Sequence, residues 1–322
     1  MEGLCNFYAD RENPFTRNLF PFRPESTHVD ISEVTFSERQ QTHEVRSIGI
    51  PHAELDAWLS KNQTAGTQGS LRVVWVTRHQ DANAWSYGIR KSDLEKVLKC
   101  FRIEKAFHYG YTGEAGIADF SDGHGKENIH TYSVFVSNFL GLAWAYNANS
   151  GTTQAVCWGD PWITSQMKRL ITHQKSLCSH PTALELFTAV VLEERIDRDL
   201  LRKIHEIRRV EIRTGYQGWT TVETTPAEGD YAALSAMMSG CAVTLVGIKR
   251  IGRIIDELLR CHSNFPEHQS IYTNNSPDQN VQLVIASMRE CEKTLKMRLV
   301  MQEVQVDWLL QRAQIQQAAV SF

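Results

Sequence analysis

The sequence predicts a mixed α/β amino-terminal domain over residues 1–165 and a helical domain over residues 166–322, ending in one very long stalk-like helix at 280–320. Three observations carry this reading. Apolar β-branched runs such as Leu71–Thr77 (LRVVWVT), and a hairpin pattern around Leu142–Trp158, all lie before Asp160. Beyond Asp160, apolar residues recur every three or four positions behind helix-start signals. From Asn280 to Phe322 there is neither Gly nor Pro, which allows one helix of up to 43 residues, about 60 Å long at 1.5 Å per residue.

Taken in order, residues 1–50 look irregular and polar, with prolines at 14, 21 and 24. A short helix is expected after Pro51, a turn-rich loop over Thr64–Ser70 (TAGTQGS), and a buried strand over Leu71–Thr77. Lys91–Phe101 places Leu94, Val97, Leu98 and Phe101 on one face, with Ser92 and Glu95 spaced as a capping box. Gly110–Gly125 reads as a glycine-rich loop. Asn147, Asn149, Ser150 and Gly151 supply a hairpin turn. Asp160-Pro161 is a helix start, with Asp at the cap and Pro in the first turn.

A second capping box, Thr182 with Glu185, opens a helix whose apolar stripe runs through Leu186, Val190, Ile196, Leu200, Ile204, Ile207 and Val210. Gly215 is placed to end it. A third helix fits Tyr231–Cys261, followed by a loop over Ser263–Pro277. The last helix carries a stripe of Val284, Met288, Cys291, Leu295, Leu299, Gln302, Val306, Leu309 and Ala313, in which Gln302 is the polar exception. Such a helix is either a bundle member or a self-associating element.

Composition excludes several classes. With 42% hydrophobic and 22% charged residues in 322, the chain can form a real core. A net charge of −3, from 34 basic and 37 acidic residues, provides no field to collect nucleic acid. Seven cysteines, at 5, 100, 157, 178, 241, 261 and 291, form no CxxC, so free thiols in a reducing, cytoplasmic setting are expected. The opening MEGLCNFYADRENPF lacks the apolar core of a signal peptide. The 18 uncharged residues Tyr231–Ile248 reach the lower limit of a membrane span. They include Ser, Gly and Thr and run straight into Lys249-Arg250, so a buried core helix is expected and no membrane span.

Chemical motifs are sparse. There is no GxSxG, GxxxxGK[ST], HExxH or GxGxxG. Asp119–Glu127 fails the calcium-loop register, because a Gly123 at position six puts Ala118 and Ile129 at the ligand positions. Asp256-Glu257 and Glu193-Glu194 read as solvated helix faces. His173, Ser176, Cys178 and His180 could pair as Cys and His, but structural packing is the expectation. No metal ligand set and no catalytic residue is assigned. The aromatic density is the best candidate site: His108, Tyr109 and Tyr111 in one loop, and Trp144, Tyr146, Trp158 and Trp162 in or beside the hairpin. Such side chains fill cores or wall a cavity for an apolar small molecule.

The runs HPTALELF at His180–Phe187, VEIRTG at Val210–Gly215 and WLLQRAQIQ at Trp308–Gln316 resemble the soluble region of fungal CorA-like magnesium-transporter proteins. The likeness covers about residues 130–320. It implies a regulatory or assembly module, oligomeric through the long helix, with Mg2+ as the ion it would answer to. The family's Gly-Met-Asn signature is missing, and with the sequence running to Val320-Ser321-Phe322 its two membrane helices are missing too, so no transport is expected. The chain is then either a domain of a transporter or a stand-alone scaffold. In the stand-alone case the alternative is a cofactor-independent cyclase or isomerase of fungal specialised metabolism.

Overall fold

Strand pairing sorts the apolar residues of the first half onto the two faces of a single mixed sheet. The computed structural model describes residues 21–23, 26–37, 42–60, 67–81, 84–112, 116–120, 129–136, 139–215, 231–264 and 279–321. The strands are β1 (His28–Ser37), β2 (Thr42–Pro51), β3 (Thr67–Asp81), β4 (Ala84–Tyr87), β5 (Gly116–Asp119), β6 (Ile129–Val136), β7 (Leu140–Asn147) and β8 (Thr152–Gly159). Their order is β2-β1-β3-β8-β7-β6-β5, with β4 paired to β3. The β3–β8 pair is parallel and the other pairs are antiparallel.

The helices are α1 (His52–Leu59), α2 (Lys91–Phe101), α3 (Glu104–Thr112), α4 (Pro161–His173), α5 (Ala183–Thr214), α6 (Tyr231–Asn264) and α7 (Gln279–Ser321), with a 3-10 turn at Lys175–Ser179. The fold class is the one the sequence predicts: a mixed sheet region, then helices, the last of 43 residues.

Three local expectations are corrected. Residues 28–51, read as irregular, form the β1–β2 hairpin. Only Val29, Ile31, Val34 and Ile50 among its apolar residues are buried, too few to show as a periodic run. Thr67–Ser70, assigned to a loop, extend β3. His108, Tyr109, Gly110 and Tyr111, assigned to a loop, belong to α3. Gly110 suits the helix because a Cβ there would run into the Ser133 hydroxyl.

Capping is equally mixed. Asp160 Oδ1 accepts from the Ile163 N–H at 2.9 Å, with Pro161 at the first helical position, as expected. The Ser92 box does not form: α2 starts at Lys91, Arg90 holds the cap position, and no side chain caps it. Arg102 closes that helix at φ 58, the one non-glycine positive φ among the described residues. Gly215, at φ 71, follows the end of α5 as predicted. In the hairpin turn, Asn147 Oδ1 accepts the N–H groups of Asn149 and Ser150, and Gly151 takes φ 65.

The chain divides into two compact units, residues 1–188 with 261–288, and residues 189–260 with 289–322. The boundary predicted at 165 follows the end of strand content, whereas these units divide the chain by packing. In the first unit, α1, α2 and α3 cover one sheet face, burying Ile31, Val74, Val76, Val156 and Trp158 with Leu55, Leu94, Val97, Phe101 and Phe107. The residues of opposite parity, Leu71, Val73, Trp75, Leu142, Trp144, Tyr146 and Cys157, are buried on the other face. Ile163, Met167 and Ile171 of α4, which packs on β3 and β8, are buried too.

Two polar clips hold the first face. Arg72, 5% exposed, donates to the Trp58 carbonyl oxygen and lies 4.0 Å over the Trp58 ring, with Glu33 at 3.6 Å. His52, at the start of α1, places Nδ1 2.5 Å from Asp93 of α2 and Nε2 2.5 Å from the Ser26 carbonyl. A carbonyl only accepts, so Nε2 carries a proton.

The second unit is built on helices. Glu193 and Thr214 of α5 meet Gln302 and Gln316 of α7, so those helices run parallel. Lys249 pairs with Asp307 and Ser239 with Gln317, so α6 runs antiparallel to α7. Along α7, Leu295, Gln302, Leu309 and Gln316 are buried seven residues apart, as are Val306, Ala313 and Val320. Seven is the repeat of helices wound in a left-handed supercoil.

Candidate functional site

The sheet separates the seven aromatic residues proposed to wall one cavity. Trp158 lies opposite Gly141 and shares its face with Phe107 of α3, the rings 4.6 Å apart. A side chain at Gly141 would overlap the Trp158 indole. On that side Tyr111 stacks on Phe107 at 6.3 Å, and Tyr109 meets Phe120 edge-on at 5.3 Å. His108 sits beside Phe107, and burial pushes its pKa down.

Trp144 and Tyr146 point to the opposite face, where Trp144 stacks on Tyr132 at 5.3 Å. Both are at most 2% exposed, and burial raises the Tyr146 pKa. Trp162 is half-buried on α4. Strand parity thus sends Trp144 and Tyr146 to one sheet face and Trp158 to the other, all three in the core. A cavity of about 200 Å³ does lie on the α2 side, lined by Cys100, Phe101, Arg102, Ile129, Ala145, Asn147 and Gln154. It is smaller than the roughly 300–1,000 Å³ of ordinary ligand sites and includes none of the seven.

The chemistry concentrates elsewhere, in a polar cluster of the first unit. Thr182, ahead of α5, was expected to cap that helix in a box with Glu185. Its hydroxyl instead bridges two imidazoles: His180 Nδ1 at 2.9 Å and His262 Nδ1, from the end of α6, at 2.7 Å. The Thr182 N–H, the group Glu185 would accept in a box, turns to His180 Nδ1 at 3.3 Å. Glu185 is 4% exposed, and its Oε2 has no hydrogen-bond partner among the described residues. Burial, and then Asp119 of β5, raise its pKa to about 8, so it is a neutral acid at pH 7. Burial, and then His262, push His180 down to about 4.

Sequence reading expected structural packing for Cys178 and His180, and Cys178 Sγ lies 3.8 Å from the Ile171 carbonyl. It missed His262, 80 residues from Thr182, for which no local signal exists.

A different kind of site lies on the helical unit. Opposite its buried stripe, α7 exposes Met297, Val300, Met301, Val304, Trp308 and Ile315, with 297, 301, 304, 308 and 315 in steps of four, three, four and seven. This is a second seam-like stripe on one helix. The α6 segment expected to be a buried core helix is amphipathic in burial. Leu234, Met238, Cys241, Leu245 and Ile248 are covered, while Met237, Val243 and Val246 are exposed. Ala236, Gly240 and Gly247 join that outer face, and a Cβ at either glycine would meet nothing within 4 Å.

By length and composition, Tyr231–Ser263 is the one described helix apolar enough to cross a membrane, with 28% of its apolar 18-residue window buried. Among the described residues, no three His, Cys, Asp or Glu side chains are grouped to hold a metal ion. The six described cysteines form no disulfide, and Cys5 lies outside the described residues, as does most of the Asp119–Glu127 segment.

No family profile matches the chain, and no curated protein does. Among solved structures it is similar to one described as the structure of the full-length CmaX protein, at 10% identity and a TM-score of 0.47, over 93% of this chain and 79% of that one.

Proposed function

We propose that the chain is a non-enzymatic assembly module that joins further copies of itself through the outer faces of α6 and α7. The carrying observation is the second apolar stripe of α7, Met297 to Ile315, left exposed on a helix whose first stripe is already buried. Contiguous exposed apolar surface of this kind marks interaction sites. The small residues of α6 add a face on which a partner helix can come close.

This reading carries forward the CorA-like resemblance, including cytoplasmic placement and a response of the assembly to Mg2+ through carboxylates at its interfaces. The cyclase or isomerase alternative gains no support from seven aromatic residues divided between two faces of a sheet. Light scattering across a concentration series, with and without magnesium chloride, tests the proposal. Mass rising with concentration, and melting temperature rising with magnesium, are expected. A constant monomer mass overturns the assembly reading, and an assembly indifferent to magnesium overturns the ion-responsive part of it.

A further inference from the structure

We propose that His180, Thr182 and His262 form a pH-sensitive latch, which ties the end of α6 to the start of α5 at neutral pH and releases it in mild acid. The hydrogen-bond geometry carries this. One hydroxyl touches two Nδ1 atoms, at 2.9 and 2.7 Å, and can donate only one proton. The Thr182 N–H also approaches His180 Nδ1, at 3.3 Å, so that nitrogen is an acceptor. One assignment satisfies these three contacts. Thr182 Oγ1–H donates to His180 Nδ1, and His262 Nδ1–H donates to Thr182 Oγ1. This network needs a neutral His180 with its proton on Nε2.

A proton added to His180 lands on Nδ1, the atom at which two donors already point. It ends the contact with the Thr182 N–H, forces the Thr182 hydroxyl to turn its own proton away, and places a positive charge beside a second imidazole whose ring centre is 6.4 Å away. His262, from α6, is the ionisable group that acts on His180. Glu185, on α5, is a neutral acid that feels Asp119 of β5. Lys175, in the 3-10 turn, acts on His43.

The three latch residues, and Glu185, lie within the first unit, close to where the chain leaves it at Thr188 and re-enters at Cys261. The contact therefore controls two helix ends at once. His180 keeps part of its surface exposed, so a proton can reach it. The free side chain titrates near 6.5 and the latched one near 4, so acid favours the open form over that interval.

Hydrogen exchange on the full chain reads this directly. Glu185 titrates with the opposite sign in the same segment, so the measurement is made in a Glu185→Gln background: between pH 7 and pH 5, after correction for intrinsic rates, amides of residues 182–186 and 259–264 should exchange about 20-fold faster, while those of β7 keep their protection. His180→Asn supplies an Oδ1 acceptor where Nδ1 stood and does not titrate, so it should keep the pH 7 protection and lose the acid response. Thr182→Val should raise exchange of the same amides at pH 7. Equal acceleration in β7, an unchanged acid response in His180→Asn, or no effect of Thr182→Val would each overturn the latch.

Discussion

Gln302 Nε2 donates to Glu193 Oε1 at 2.8 Å, inside the seam between α5 and α7. The same nitrogen reaches Asp197 Oδ1 at 2.6 Å, and Arg298 Nε lies 2.6 Å from Glu193. The one polar residue in the predicted stripe is therefore the donor to an acidic pair in which Glu193, expected on a solvated face, is buried and Asp197 is exposed, and it sets the register of the two helices. Burial and the neighbouring Asp197 raise the Glu193 pKa. Gln302→Leu should cost about 1–3 kcal/mol at pH 7, where it leaves carboxylate oxygens short of a donor. The cost should shrink at pH 5, where Glu193 is closer to neutral. Urea melts at both pH values check this, and equal costs would contradict it.

The long helix has a defined inner face. Leu295 and Leu309 are at most 4% exposed. Each Leu→Ala change should cost ~2–5 kcal/mol. Lys293 and Gln311 are exposed, and Ala at either should stay within ~0.5 kcal/mol. Denaturant melts of the four variants test the register. Similar losses for all four would mean the stripe is misplaced.

Gly141 makes room for Trp158. A Cβ there would overlap the indole, which Phe107 holds from the other side. Gly141→Ala should therefore cost about 1–3 kcal/mol or more through overpacking. A thermal melt matching wild type would show that Trp158 packs elsewhere.

Glu185 supplies a pH signature. Its folded pKa, about 8, lies above the ordinary 4.5. The folded state then binds more protons between those values, so stability is full below pH 4.5 and falls as pH rises towards 8. Glu185→Gln should be the more stable protein at pH 8.5, by roughly 3–5 kcal/mol at most, and the two should converge near pH 4.5. His180, with a lowered pKa, gives the opposite slope below pH 6.5, so wild-type stability should peak between them. Parallel melting curves for wild type and Glu185→Gln would refute the buried neutral acid.

Much of the fold was legible where one residue pattern had one meaning. The Gly- and Pro-free run to Phe322 became α7, and Asp160-Pro161 became a capped helix start. The β1–β2 hairpin was not, because β2 is an edge strand with Ile50 as its buried apolar residue. The aromatic residues fall on two sheet faces because of strand parity. Trp144 pairs with Ala155 and Trp158 with Gly141, so a hairpin register worked out from the Asn147–Gly151 turn would have put the two tryptophans on opposite faces. The Thr182 network was beyond reach in principle. A capping box is a local pattern, and the competing partner arrives from α6 through tertiary packing.

Self-association through the outer stripe of α7 is the central claim, and sedimentation equilibrium on wild type and a Met301→Glu/Val304→Glu double variant tests it most directly. Both side chains are well exposed, 68% and 64%, so charge there should leave the fold and its melting curve intact. The account predicts wild-type mass above monomer in the micromolar range and a double variant that stays monomeric to about 100 μM. A wild type that is monomeric throughout, or a double variant that associates as tightly as wild type, would contradict it.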